Sequence, residues 1–305
     1  MAIDPEVLLL RRRLKRQVTL WRALALVAVV GFVIAAIGRF TGAFERPHIA
    51  RLTVAGIIVD DPDRDRALAT AARDPRVKAL IVRIDSPGGT AAGGEALYRT
   101  LREFGRVKPV VTVMGELATS AGYMAAIAAD YLVARETTLT GSIGVIMQTT
   151  DLTGLLGKLG IATEALKSSP LKAVPSPLEP MTPAAREATL SLIRDIYAMF
   201  MDLVAERRGF TPDQLGVIAD GRVFTGRQAL PLRLIDRLGG EAEAREWLTA
   251  ARGIDPSLSV RELRVEREDE FWQSFIGTIA EKTFYPERLT LDGLISLWHP
   301  ALTSP

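Results

Sequence analysis

Three apolar runs of strand length, Lys78–Asp85 (KALIVRID), Val110–Met114 (VVTVM) and Tyr131–Ala134 (YLVA), are separated by stretches with helical periodicity. This alternation leaves few folds open. Buried strands joined by helices need crossover connections, and these give an α/β domain with a largely parallel sheet covered on both faces. The pattern predicts a strand pair over Ile49–Val59, or one strand kinked at Gly56, and a helix over Asp63–Arg73 that Asp74-Pro75 stops. It predicts helices over Gly93–Phe104, Ser120–Ala129 and Leu152–Leu159, and a further strand over Ser142–Gln148 (SIGVIMQ). Beyond these, a long amphipathic helix runs from Thr182 as N-cap to Gly209 as C-cap signal. A shorter helix over Thr211–Ala219, a turn-strand-turn over 219–226 and a helix over Ala242–Ala251 follow.

The first 40 residues are of a different kind. Arg11, Arg12, Arg13, Lys15 and Arg16 precede an apolar run from Leu20 or Ala23 to Gly38. A run of 16 to 19 residues is at the short end for a membrane-spanning helix. It is longer than a usual signal-peptide core, although Ala35, Ala36 and Gly38 offer a cleavage site. The expectation is an uncleaved anchor over 20–39. By the positive-inside rule its N-terminus is cytoplasmic and the rest of the chain lies on the other side. Removing the basic cluster leaves a slightly acidic chain, so the pI near 9.0 does not argue for nucleic-acid binding. There is no cysteine, which excludes disulfides, thiolate metal sites and a cysteine nucleophile. Nothing in the sequence calls for a metal or an organic cofactor.

The chemistry centres on Thr119-Ser120-Ala121-Gly122-Tyr123-Met124-Ala125-Ala126. Ser120 follows a strand and opens a helix, which places its hydroxyl near exposed helix N–H groups. The two histidines, His48 and His299, fall in no plausible catalytic segment, so a Ser-His-Asp triad is not expected. A lysine base is the main alternative. Upstream, Asp85-Ser86-Pro87-Gly88-Gly89 ends a strand with a glycine pair that brings backbone N–H groups close to a ligand. Gly88 or Gly89 with the amide of Ala121 would make an oxyanion hole. The lysines downstream are Lys158, Lys167, Lys172 and Lys282. A lysine acts as a base only when neutral, which needs apolar surroundings. Lys172, flanked by Leu171, Ala173, Val174 and Pro175, suits this better than Lys167 beside two serines.

These segments, with TGSIGVIMQ at 140–148, KSSPLKAVPSP at 167–177 and DGRVFTGRQAL at 220–230, resemble the signal peptide peptidase A family of membrane-anchored Ser-Lys proteases. The likeness runs over roughly residues 50–240, in the family's order, and the length is similar to the family's short single-unit form. The resemblance implies a crotonase- or Clp-protease-like α/β superhelix with one N-terminal transmembrane helix. It implies Ser120 as nucleophile, Lys172 as general base, Gly88, Gly89 and Ala121 as oxyanion hole, and Ser142 as the residue that positions the lysine. The family commonly has glycine where this chain has Ala121, whose backbone N–H is equally available. Extended peptides would add as strands near 86–92 and 142–147, with Ser86, Pro87, Ile143, Gly144 and Val145 in contact. The implied substrates are released signal peptides and other small membrane-associated peptides. The implied assembly is a homo-oligomeric ring or dome of about eight subunits with sites across interfaces. The implied location is a bacterial inner membrane, with the catalytic domain on the periplasmic side.

The expected organisation is a basic tail (1–19), an anchor (20–39), a linker (40–48), a protease domain (49–255) and an amphipathic tail (256–305). The tail carries Phe271, Trp272, Phe275, Ile276 and Ile279 at helical spacing, to be covered by a neighbouring subunit, the membrane surface or its own core. Two other functions fit the fold: a non-catalytic membrane-anchored scaffold, and a crotonase-type acyl-CoA enzyme. The Ser/Lys/Gly set disfavours the first, and the anchor with the Ser/Lys pair disfavours the second.

Overall fold

The computed structural model describes residues 17–32, 46–265 and 295–297. The chain divides into two compact units, Met1–Arg46 and Pro47–Pro305. In the first, residues 17–32 form a helix, α1, with Trp21, Leu24, Leu26 and Phe32 exposed. Among the described residues no helix is long and apolar enough to cross a membrane. The rest of the expected anchor, residues 33–39, lies outside the described residues.

Among the described residues the second unit is a mixed α/β fold built on one nine-stranded sheet. Its inner strands are β1 (His48–Ile58), β2 (Val77–Thr90) and β3 (Val110–Thr119), which pair parallel to one another in that order. The connecting helices are α2 (Pro62–Arg73) and α3 (Ala91–Gly105). In β2 successive side chains go to opposite faces. Leu80, Val82 and Ile84 enter a large core with Leu97, Leu101 and Phe104 of α3. Ala79 and Ile81 enter a smaller core on the other face. Burial on both faces explains why KALIVRID reads as a continuous apolar run.

Past β3 come the short helix α4 (Ala121–Ala126), β4 (Tyr131–Ala134), β5 (Leu139–Gly141) and α5 (Thr153–Lys158). The long α6 (Pro183–Arg208) is capped as expected: Thr182 Oγ1 accepts from Ala185 N–H, and Gly209 is left-handed at φ 65°. Next are α7 (Pro212–Ile218), β6 (Val223–Thr225), α8 (Gly226–Ala229), β7 (Arg237–Leu238), α9 (Glu241–Arg252) and β8 (Ser259–Glu262). α9 supplies Ala244 and Leu248 to the smaller core. β4 and β5 pair with successive halves of β3, at Val111–Met114 and Leu117–Thr119.

The sheet differs from the sequence expectation in three places. β2 does not stop at Asp85 but runs through Ser-Pro-Gly-Gly to Thr90, because β1 continues beside it, with Ile57↔Gly88 and Ile58↔Gly89. The helix after Ser120 is shorter, ending at Ala126. Ser142–Gln148 is not a strand. The strand lies earlier, at Leu139–Gly141, and left-handed backbone at Gly141 (φ 84°) and Ser142 (φ 50°) ends its ladder. Of the two readings of residues 49–59, one kinked strand rather than a strand pair is formed, with φ 71° at Gly56 and a register shift between Ala55 and Ile57. The expected apolar helix around Phe271–Ile279 lies outside the described residues.

Two outcomes follow from this packing. Leu97→Ala, at a fully buried position, should lower the unfolding free energy by about 2–5 kcal/mol in chemical denaturation. In the turn before β2, Asp74 accepts hydrogen bonds from three donors of Arg76, at 2.9 Å from N, 2.8 Å from Nε and 2.7 Å from Nη2. The Arg76 side chain holds the Asp74 carboxyl down from 3.8 to about 2. A depressed carboxyl stabilises the fold above its unfolded value and loses that contribution as pH falls through its folded value. Asp74→Asn should therefore flatten the fall in melting temperature between pH 3.8 and about 2.

Candidate active site

Ser120 lies where β3 ends and α4 begins, and it is 1% exposed. Its backbone is left-handed, φ 57° and ψ −121°. A non-glycine residue there costs on the order of 1–3 kcal/mol and persists only when its surroundings impose it. The surroundings do impose it. Ser120 N–H donates to Gly141 O at 2.8 Å, and Met124 N–H donates to Ser120 O at 2.9 Å. One residue earlier, Thr119 Oγ1 donates to Pro87 O at 3.0 Å. The Ser120 hydroxyl makes no capping hydrogen bond to α4.

The approach of β3 to Pro87 depends on a bulge. Ile84 pairs with Met114, but two residues later Ser86 pairs with Ala118, so β3 carries extra residues at Gly115–Leu117. Their backbone groups find side-chain partners. Leu117 N–H donates to Asp85 Oδ1 at 3.2 Å, and Thr138 Oγ1 donates to Gly115 O at 2.7 Å. A side chain at Gly115 would place a Cβ 2.9 Å from Asp85 Oδ2.

Opposite Ser120, the Ser86–Gly89 segment is braced from inside. Ser86 is buried, and its Oγ donates to Gly56 O at 2.6 Å and accepts from Gly88 N–H at 3.1 Å. Ser86 was expected to touch substrate; its hydroxyl instead fixes the turn. Gly88 is left-handed at φ 119°. A Cβ on Gly89 would lie 1.8 Å from Ile58 O, so β1 leaves room for glycine only. Gly88 N–H, one of the expected oxyanion donors, is thus engaged by Ser86 Oγ.

On the third side, Ser142 is 8% exposed, and its N–H donates to Arg222 O at 2.8 Å. The Asp220–Ala229 segment therefore has a structural task that its sequence did not reveal. β6 pairs antiparallel with β5, with Gly141↔Val223, and clamps the Gly141–Ser142 turn against Ser120. The nearby Arg222 guanidinium holds the Asp220 carboxyl below its usual range. Ile143 is fully buried and part of the large core, so its side chain serves packing. Gly144, Val145 and Pro87 are half-buried at the rim.

The structure thus brings together Ser120, Ala121, Pro87–Gly89 and Gly141–Ser142. It does not bring in the lysine. Lys172 is exposed, and its ammonium makes no hydrogen bond or ion pair among the described residues. The expected apolar surroundings are absent because Leu171 is itself exposed. Lys167 is the more enclosed of the two, paired with Glu179. His48 begins β1, at the far end of that strand from Gly56–Ile58. Thr119, Asp85 and Arg222 were missed by sequence reasoning. Only the neighbourhood of Thr119 and Asp85 to the two motifs signalled them.

A family model for peptidase family S49 matches residues 102–255. A putative protease of Synechocystis is 38% identical over 213 residues, covering 69% of this chain and 76% of its own length. The chain belongs to peptidase family S49. A chloroplastic serine protease SPPA of Arabidopsis thaliana is 32% identical over 72% of this chain, although the match covers 32% of that longer protein. A putative signal peptide peptidase SppA of Enterococcus faecium is 28% identical, covering 66% of this chain and 62% of that one. Among solved structures, a ClpP1 variant of Listeria monocytogenes aligns at TM-score 0.42 and 15% identity, over 62% of this chain and 91% of that one. As a member of S49 the chain is a serine-type peptidase, and Ser120 is the serine on which the strained strand-to-helix junction is built.

Ser86→Ala removes the brace and leaves Gly88 N–H and Gly56 O without their partner. It should destabilise the fold by about 1–3 kcal/mol, measured by denaturant titration.

Proposed function

We propose that the protein is a membrane-anchored serine endopeptidase that uses Ser120 and Lys172 to degrade released signal peptides and other small membrane-associated peptides. The observation that carries this is the left-handed Ser120, held between the glycine turn of β2 and the Gly141–Ser142 turn. The names of the Arabidopsis and Enterococcus relatives support the serine protease and signal peptide peptidase readings. The apolar run beginning in α1, behind its basic cluster, supports a single-pass anchor in a bacterial inner membrane. In that topology the N-terminus is cytoplasmic and the peptidase unit is periplasmic. The crotonase- or Clp-like superhelix belongs to the same reading.

In the reaction, Ser120 Oγ attacks the scissile carbonyl carbon while neutral Lys172 takes the hydroxyl proton. Backbone N–H groups of Gly89 and Ala121 stabilise the tetrahedral oxyanion, with Gly88 holding the turn. Collapse breaks the C–N bond, and the lysine gives its proton to the leaving amine. Water then attacks the acyl-serine ester, losing a proton to the lysine, and Ser120 recovers its own proton as the acid product leaves.

An exposed Lys172 needs a surface to enclose it. The segment around it leaves Ile161, Leu166, Leu171 and Leu178 exposed in the single chain. A homo-oligomer, about eight copies by the family resemblance, would cover these groups and bring Lys172 to a serine, with Ser142 positioning it.

Hydrolysis of a fluorogenic apolar peptide by the full-length chain tests the assignment. Ser120→Ala and Lys172→Ala should each lower kcat/KM by about 10³-fold or more, whereas Lys167→Ala should retain activity. Activity that survives Ser120→Ala would sink the mechanism. Loss in Lys167→Ala with retention in Lys172→Ala would move the base to Lys167.

A further inference from the structure

α3 opens on Ala91-Ala92-Gly93-Gly94, with two consecutive glycines in its first turn. Glycine is the poorest helix former after proline, so a pair of them calls for a reason. Packing supplies one for each. A Cβ on Gly93 would lie 2.5 Å from Val59 C, just past the end of β1. A Cβ on Gly94 would lie 2.9 Å from Ala121 Cβ, 3.4 Å from Ala121 Cα and 3.3 Å from Met124 Sδ. The methionine side chain is flexible and can move aside. The Ala121 methyl cannot: it has no rotamer to change, and Ala121 is 0% exposed. Only a shift of the α4 backbone would admit a methyl group at position 94.

Under the proposed function that backbone carries the chemistry. Ala121 adjoins Ser120, and its N–H is one of the expected oxyanion donors. α4 is confined on a second side as well, since a Cβ on Gly122 would lie 3.0 Å from Ser86 O. α3 is in turn tied to the glycine turn of β2. Thr90, directly after Gly88 and Gly89, is its N-cap, and Thr90 Oγ1 accepts from Gly93 N–H at 3.0 Å. The first turn of α3 therefore touches both expected sources of the oxyanion hole. We propose that Gly94 is a positioning residue for the Ser120–Ala121 junction. Its missing side chain is the seat of the Ala121 methyl, and the seat sets where Ala121 N–H stands relative to the glycine turn. This rests on the protease reading and adds a residue to its machinery.

A displaced oxyanion donor acts on the transition state. A misplacement of about 1 Å costs on the order of 10²-fold in rate, much as the loss of one donor does. An extended peptide held by main-chain hydrogen bonds feels the shift less, so the loss falls on kcat rather than KM.

The test is a size-swap cycle in the full-length chain: Gly94→Ala, Ala121→Gly and the double variant. Each is measured for hydrolysis of a fluorogenic apolar peptide and for thermal melting. Gly94→Ala should lower kcat by about 10-fold or more with little change in KM. In the Ala121→Gly background the new methyl meets no Cβ. There Gly94→Ala should lower kcat by a much smaller factor, and the double variant should be several-fold faster than Gly94→Ala alone. A glycine with only a structural role would alter melting without this rescue of kcat. If Gly94→Ala does not fold, the double variant should fold and hydrolyse the peptide. An unchanged kcat in folded Gly94→Ala, an equal fall in both backgrounds, or a double variant no better than the single one overturns the proposal. Absence of hydrolysis by the wild-type chain is a separate result. It removes the protease reading and the positioning role with it, while the melting cycle still reports whether positions 94 and 121 touch.

Discussion

The hydrogen bond from Ser120 N–H to Gly141 O is the point on which the site depends. It joins the end of β3 to the end of β5 at the residue where the backbone is least comfortable. Left-handed backbone at a serine is unfavourable by itself, so the conformation must be imposed by its neighbours. Thr119 Oγ1 on Pro87 O supplies a second tie, to β2, and Ser142 N–H on Arg222 O supplies a third, to the segment before β6. Strain is thus concentrated at one residue while the surrounding polar groups are satisfied. Such an arrangement fixes the backbone of Ser120 without a side-chain helix cap.

The same economy governs the two bulges. At Gly115–Leu117 the ladder between β2 and β3 opens, and Asp85 and Thr138 take up the freed donor and acceptor. At Ser86–Gly88 the ladder between β1 and β2 slips by a residue, and the Ser86 hydroxyl bridges Gly56 and Gly88. Buried backbone groups need partners, so each irregularity that aims a residue at the site has a short polar side chain beside it. This is why Ser86 is fully buried although it lies in the motif that faces the serine.

Burial also separates the two lysines. Leu171 and Val174 beside Lys172 are apolar, but adjacency in sequence removes no water; packing against another element does. In the single chain Leu166 is 92% exposed and Leu171, next to Lys172, is exposed as well. Lys167 by contrast folds onto Glu179.

Much of this architecture was legible in the sequence. The buried strand KALIVRID, the Thr182 and Gly209 caps and the strand-to-helix position of Ser120 all follow from local pattern, because each depends on a few neighbouring residues. The extension of β2 through Ser86–Thr90, the end of β5 at Gly141, the internal role of Ser86 and the burial of Ile143 did not follow from it. Each of these depends on which distant strand lies alongside, and that is decided by the register of the sheet rather than by composition. The sequence by itself determined the fold class and the serine; the tertiary structure alone decided which of the neighbouring polar groups face that serine, because only sheet pairing brings residues 56, 88, 120, 141 and 222 together.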